Sequence, residues 1–164
     1  MLREISAGGV VVRRAEERWE LAVIEPQRES AVNQANAPRR KRSQKIVLAL
    51  PKGLVDSGET PEQTAIREVL EETGLSVVPV AKLGDVKYVY VRSWGDKERV
   101  FKIVSFYLLR YQAGTIDEIA EEMRIEVKRA FWISLADGAR RLAYRGEREM
   151  TLRAEAYFLA HPEF

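Results

Sequence analysis

The stretch from Gly53 to Leu75, GLVDSGETPEQTAIREVLEETGL, constrains this chain more than any other. Thr60, followed by Pro61 and by Gln63 three positions on, predicts a helix start. It offers a hydroxyl to accept from an orphan N–H, a ring with its φ preset, and a carboxamide that reaches back. Gly74 supplies the stop. Between them Glu68, Glu71 and Glu72 stand at i, i+3 and i+4, so three carboxylates share one face, while Ile66, Val69 and Leu70 are expected to point toward a core. For stability alone this is a poor helix. Each like-charged neighbour costs about 0.2–0.5 kcal/mol, and an acid in the last turn meets the negative end of the helix dipole at about 0.3–1 kcal/mol. A divalent cation on that face would remove the conflict.

Composition limits what such a cation site contains. The chain has no cysteine and one histidine, His161, which rules out disulfides and thiolate sites and leaves a hard, oxygen-preferring cation. His161, in the tail, is expected to be an exposed bystander. Basic and acidic residues number 27 and 25, so no global charge demands nucleic acid and any attraction must be local. No run approaches the roughly 18 apolar residues of a membrane span and no basic start precedes a long apolar segment. These features predict a cytoplasmic protein without membrane contact, folded as a single domain over residues 1–164.

Along the chain, Ile5 to Val12 reads as a strand in which Gly8-Gly9 marks either a bulge or the close approach of another backbone or a ligand. Trp19 to Ile24 is its hairpin partner, ending at Pro26. Residues 27–45, with Pro38 and the basic run Arg39 to Arg42, predict a long mobile loop that is either merely solvated or captures polyphosphate or RNA. Ile46 to Leu50 predicts a short strand leading into Pro51-Lys52-Gly53, where Lys52 is either an ordinary surface lysine or a phosphate contact. Val77 to Leu83 predicts an irregular strand because of Pro79. Val86 to Val91 and Val100 to Tyr111 predict a long hairpin turning at Trp94-Gly95-Asp96, with Tyr88 and Tyr90 as sheet-face residues or base-stacking platforms. Ala113 to Glu126 reads as an acidic loop. A strand from Val127 to Ile133 and two helices, from Ser134 to about Arg145 and from about Glu147 to Ala160, complete the chain. The order implies a mixed sheet with helices on both faces.

The fixed positions of the opening stretch now carry a specific resemblance. Gly53, Glu59, Arg67-Glu68-Val69, Glu71-Glu72 and Gly74-Leu75, at those spacings, match the Nudix box of the MutT-like hydrolases. The resemblance implies an α/β class fold, an α/β/α sandwich, and hydrolysis of a nucleoside diphosphate linked to another group with Mg²⁺ or Mn²⁺. It implies Glu68, Glu71, Glu72 and the carbonyl of Gly53 as metal ligands, with Glu59 and Arg67 fixing their geometry. The general base is then Glu72, Glu68 or an acid of the later segment, among them Glu118, Glu121, Glu122 and Glu126.

Tyr88 and Tyr90, with Lys52 in Leu50-Pro51-Lys52-Gly53, resemble the dinucleoside polyphosphate and diphosphoinositol polyphosphate hydrolases of that family. A small-molecule nucleotide such as Ap4A is therefore the favoured partner. Hydrolysis at RNA 5′ ends, or of nucleotide sugars or nucleoside triphosphates, is the alternative within the same chemistry. A nucleotide sensor that does not hydrolyse its ligand is the alternative of another class, disfavoured because every acid of the box is present. Monomer and homodimer both remain open.

Overall fold

The computed structural model describes residues 1–27, 46–92 and 95–164. The basic run Arg39 to Arg42 and the expected turn residue Trp94 lie outside the described residues. Strand β1 (Leu2–Ala15) turns at Glu16 into β2 (Arg18–Pro26). After a very short β3 (Lys52–Leu54) comes helix α1 (Pro61–Thr73), then the hairpin of β4 (Ser76–Val91) and β5 (Arg99–Ala113). A 3₁₀ turn (Glu121–Ile125), β6 (Val127–Ser134), α2 (Leu135–Arg141) and α3 (Arg145–Ala160) follow.

Among the described residues six strands form one sheet in the order β4-β5-β1-β2-β6, with β3 also on β1. The β1–β5 pair is parallel and the others antiparallel, so the sheet is mixed. Alternation along the strands makes two apolar layers. Val10, Val12, Leu21, Val104, Phe106 and Leu108 face Met150 and Ala154 of α3, while Val11, Ala22, Tyr107 and Leu109 face Ala65 and Val69 of α1. The result is the expected α/β/α sandwich.

Local signals account for α1. Thr60 caps Gln63 N–H, the Gln63 side chain returns to the Thr60 N–H, and Gly74 closes the helix at φ 83°. One expectation about its face fails: Leu70 is half exposed. The row Ala65–Val69 meets the sheet, so Leu70, one position (about 100°) around from Val69, turns outward, and burial falls on Glu68 and Glu72 instead.

Other boundaries move for identifiable reasons. Ile46 to Leu50 is not a strand; it makes one bridge, Ala49 to Ile24, because the β1–β2 pairing stops at Leu21 while β2 stays paired with β6, and Leu48, Ala49 and Leu50 fill the wedge between β1 and β2. The two strands expected around Pro79 and Tyr88 are one, bent by irregularities near Pro79 and Lys82. The acidic loop contains the 3₁₀ turn. α2 stops at Arg141, and the Ser134 side chain makes no cap. His161 is no bystander: its ring stacks on Tyr157 at 3.9 Å between centroids, and Nδ1 lies 2.9 Å from the Tyr157 carbonyl oxygen.

Gly8-Gly9 marks a close approach, not a bulge, since the β1–β5 register runs unbroken from Leu2 to Val12. A Cβ on Gly8 would lie 2.6 Å from the Pro51 carbonyl oxygen, and the Gly9 N–H donates to that same oxygen at 3.1 Å. The segment before α1 is thereby pressed against the middle of the sheet.

Candidate active site

That pressure sets the site. β1 shares one edge between β3, at Ser6 to Gly8, and β2, from Val12 onward. Pro51 to Gly53 lies in the fork, directly over the C-terminal half of α1. A Cβ on Gly53 would sit 2.2 Å from the Glu68 carboxyl carbon, so only glycine lets backbone and carboxylate meet here. One turn further, Glu72 accepts from the Lys52 backbone N–H at 2.9 Å.

Arg67 ties the remaining acids together. Its guanidinium donates through Nε to Glu59 Oε2 at 2.7 Å and through Nη2 to Glu59 Oε1 at 2.9 Å, a planar two-pronged pair. Nη1 donates to Glu68 Oε1 at 2.9 Å and to Glu71 Oε2 at 3.2 Å, and Nη2 also reaches the Leu54 carbonyl oxygen at 3.1 Å. Glu59 takes further hydrogen bonds from Thr64 Oγ1 and the Asp56 N–H. These bonds hold the Glu59 carboxyl down at about 2, the Arg67 contact first among them, and raise the Arg67 guanidinium further.

The two buried acids move the other way. Burial pushes Glu72 up to about 8, and the negative charges of Glu68 and Glu126 work in the same direction against the Lys52 contacts. Burial also raises Glu68, opposed by Arg67. A cleft of about 810 Å³ opens beside them, lined by Gly53, Glu68, Glu72 and Glu126 together with Tyr88, Tyr90, Glu4 and Lys102. Tyr90 donates to Glu4 Oε2 at 2.9 Å, and the Lys102 ammonium pairs with Glu4 Oε1 at 3.2 Å, so one acid orients both.

The residues singled out from sequence distribute unevenly. Glu68, Glu72, Gly53, Lys52, Tyr88 and Tyr90 line the cleft; Glu71 is turned to Arg67 at the rim, and Glu59 lies behind the guanidinium. Glu118, Glu121 and Glu122 are exposed and do not line it, whereas Glu126 of the same segment does, because the 3₁₀ turn carries the chain back to the sheet just before β6. The Lys52 ammonium does not face the cleft as a free phosphate contact: it pairs with Glu147 Oε2 at 2.8 Å. Sequence reasoning missed Lys102, Glu4 and Glu147. Each carried a signal, a charge in the inward phase of an apolar pattern: Lys102 with Val104 and Phe106, Glu4 with Val10 and Val12, Glu147 with Met150 and Ala154.

The site suits a hard divalent cation by its donors: carboxylates, a glycine carbonyl and no nitrogen or sulfur ligand. Beside it is an orphaned polar atom: the buried Ser6 hydroxyl, which lines a smaller pocket of about 250 Å³ sharing Gly53, Glu72 and Glu126 with the cleft, has no hydrogen-bond partner among the described residues. The carboxylates do not yet form a cage. Among the described residues no three acids converge on one point, as Arg67 holds Glu68 and Glu71 while the Lys52 N–H holds Glu72.

Comparison with known proteins agrees with this geometry. The model of the NUDIX domain matches residues 4–154. The putative mutator protein MutT4 of Mycobacterium tuberculosis (strain CDC 1551 / Oshkosh) is 38% identical over 149 residues, 91% of this chain and 53% of that protein. The NAD-capped RNA hydrolase NudC of Photobacterium profundum is 30% identical over 115 residues, 70% of this chain and 37% of that protein. The chain thus spans about half or less of the length of these curated relatives. Among solved structures, a C. elegans Ap4A hydrolase in a binary complex aligns with TM-score 0.67 over 96% of this chain and 98% of that one, at 18% identity, a likeness of fold. With the family model covering nearly all of the sandwich, and the fork over α1 built from the residues that define the box, the chain belongs to the Nudix family.

Proposed function

We propose that this protein is a metal-dependent pyrophosphohydrolase of nucleoside diphosphate derivatives, with a dinucleoside polyphosphate as favoured substrate. The observation that carries the reading is the single cleft joining the buried acids Glu68 and Glu72 to Lys102 and the tyrosine pair. Glu68, Glu71, Glu72 and the Gly53 carbonyl, with Glu126 in support, would hold Mg²⁺ or Mn²⁺. Such an ion, when bound, polarises a phosphoryl oxygen and acidifies water.

The chain's own groups supply the rest. Lys102, fixed by Glu4, meets a phosphate of the substrate chain, and the half-exposed Tyr88 ring offers a face to a base. Glu72, which lines the cleft and whose carboxylate is held by the Lys52 backbone N–H, takes the proton of the attacking water. The water oxygen bonds to phosphorus as the bridging P–O bond breaks, and the leaving phosphate departs with the bond electrons. Arg67, anchored by its two-pronged contact with Glu59, orients Glu68 and Glu71 toward the site.

The test is a substrate panel with Mg²⁺ or Mn²⁺: diadenosine tetraphosphate, nucleotide sugars, nucleoside triphosphates including oxidised dGTP, 5′-triphosphorylated RNA and NAD-capped RNA, with products assigned in ¹⁸O-labelled water. Fastest turnover of diadenosine tetraphosphate is expected. Faster cleavage of an RNA would replace the substrate assignment, and tight nucleotide binding without turnover would replace the enzyme by a sensor.

A further inference from the structure

Glu147 is an acid where the packing pattern calls for an apolar residue. It sits in the first turn of α3, on the stripe that continues through Met150, Thr151 and Ala154, and is 4% exposed. The first turn of a helix favours a carboxylate, and both of its oxygens are used. Oε1 accepts from the Leu50 backbone N–H at 2.8 Å, and Oε2 pairs with the Lys52 ammonium at 2.8 Å. That ammonium also donates to the Leu50 carbonyl oxygen at 3.2 Å and lies 5.6 Å from the centre of the Tyr144 ring. Lys52 has a second acidic neighbour on its other side, for its backbone N–H donates to Glu72. One residue therefore stands between two buried carboxylates, one from each helix layer.

An ammonium that is largely withdrawn from water, as that of Lys52 is with its side chain 25% exposed, favours a counter-charge. With Glu147 in place the side chain of Lys52 is committed to the α3 side of the sheet. Without it, the other acid whose charge acts on Lys52 is Glu72, and an ammonium resting on Glu72 competes with any cation bound there. We propose that Glu147 is a positioning residue that holds the Lys52 ammonium off the Glu72 carboxylate, so that Glu72 is left to a divalent cation. The inference rests on the reading of Glu72 as part of the metal site.

Mn²⁺ binding to the full chain, measured from the signal of free Mn²⁺ by electron paramagnetic resonance, tests it in a double-mutant cycle. Glu147→Gln keeps the acceptor for Leu50 and removes the charge; it is expected to weaken Mn²⁺ binding about tenfold. Adding Lys52→Met removes the released ammonium and is expected to restore binding to within about threefold of wild type. In turnover, Glu147→Gln is expected to raise the Mn²⁺ requirement while kcat at saturating Mn²⁺ returns to within about threefold. Unchanged binding in Glu147→Gln, or a double variant as weak as the single one, would overturn the inference, because a purely structural acid is not rescued by removing its partner. Should Glu147→Gln fail to fold, Glu147→Met takes its place in the same cycle and the same two outcomes decide. Wild-type protein that binds Mn²⁺ yet hydrolyses nothing in the panel would overturn the enzyme reading and leave this inference standing; wild-type protein that binds no Mn²⁺ would overturn both.

Discussion

Arg67 meets Glu59 with two parallel hydrogen bonds, at 2.7 and 2.9 Å, while its third nitrogen holds Glu68 and Glu71. Geometry, not charge alone, is what this guanidinium supplies. Arg67→Lys retains the charge and loses the planar two-pronged contact. We expect kcat/KM to fall by about 10–100-fold, the usual scale for groups that orient ligating side chains, with far-UV circular dichroism unchanged. A lysine variant with normal steady-state rates would show that a point charge is enough.

Gly53→Ala places a methyl where the Glu68 carboxylate lies, 2.2 Å from its carbon. Either the carboxylate or the Lys52–Leu54 strand must shift, at about 1–3 kcal/mol of overpacking. The expected outcome is a lower thermal midpoint together with a loss of turnover larger than the stability change explains. Wild-type activity would show that Glu68 does not need that position.

Glu72→Gln is expected to abolish metal-dependent turnover with the fold intact, which product analysis and circular dichroism check together. The same substitution should change how stability depends on pH in chelator-treated protein. Burial raises the Glu72 carboxyl from 4.5 to about 8 in the folded state. Between those values the folded state binds more protons than the unfolded one, so this group lowers stability as pH rises through the window and costs nothing below it. Urea unfolding should therefore find Glu72→Gln more stable than wild type at pH 8–9, by on the order of a few kcal/mol, and equal to it near pH 4. A gain that is the same at both ends would show that charge is not the cause.

Lys102→Met and Tyr88→Ala should act on substrate binding. Lys102 loses a phosphate contact and Tyr88 a stacking face worth about 1–3 kcal/mol per base. For each we expect KM to rise about tenfold or more with kcat changed little, and Tyr88→Phe, which keeps the ring, to stay near wild type. A fall in kcat at constant KM would instead assign these residues to the chemical step.

Much of this was legible because its causes are local. The capping box at Thr60 and the stop at Gly74 depend on hydrogen bonds within a few residues, and they appear where the sequence puts them. The carboxylate face of α1 follows from helical spacing, and the strand alternation foretold both apolar layers. The failures share a different cause. Leu70 turns outward because the sheet meets α1 along Ala65 and Val69, and Leu48 to Leu50 plugs a wedge that exists only because β2 parts from β1 beyond Leu21.

By itself, then, the sequence determined the helix, its boundaries and the acids that share its face, since backbone geometry and near-neighbour hydrogen bonding decide those. Only the tertiary structure decided which acids are buried, that the exposed Glu126 and not Glu118, Glu121 or Glu122 lines the cleft beside them, and that Glu4 and Lys102 line it too. It also decided that Lys52 spends its charge on Glu147, far along the chain. Such pairings bring together residues remote in sequence, and they are set by how the sheet diverges and what fills the gap, which no local pattern encodes.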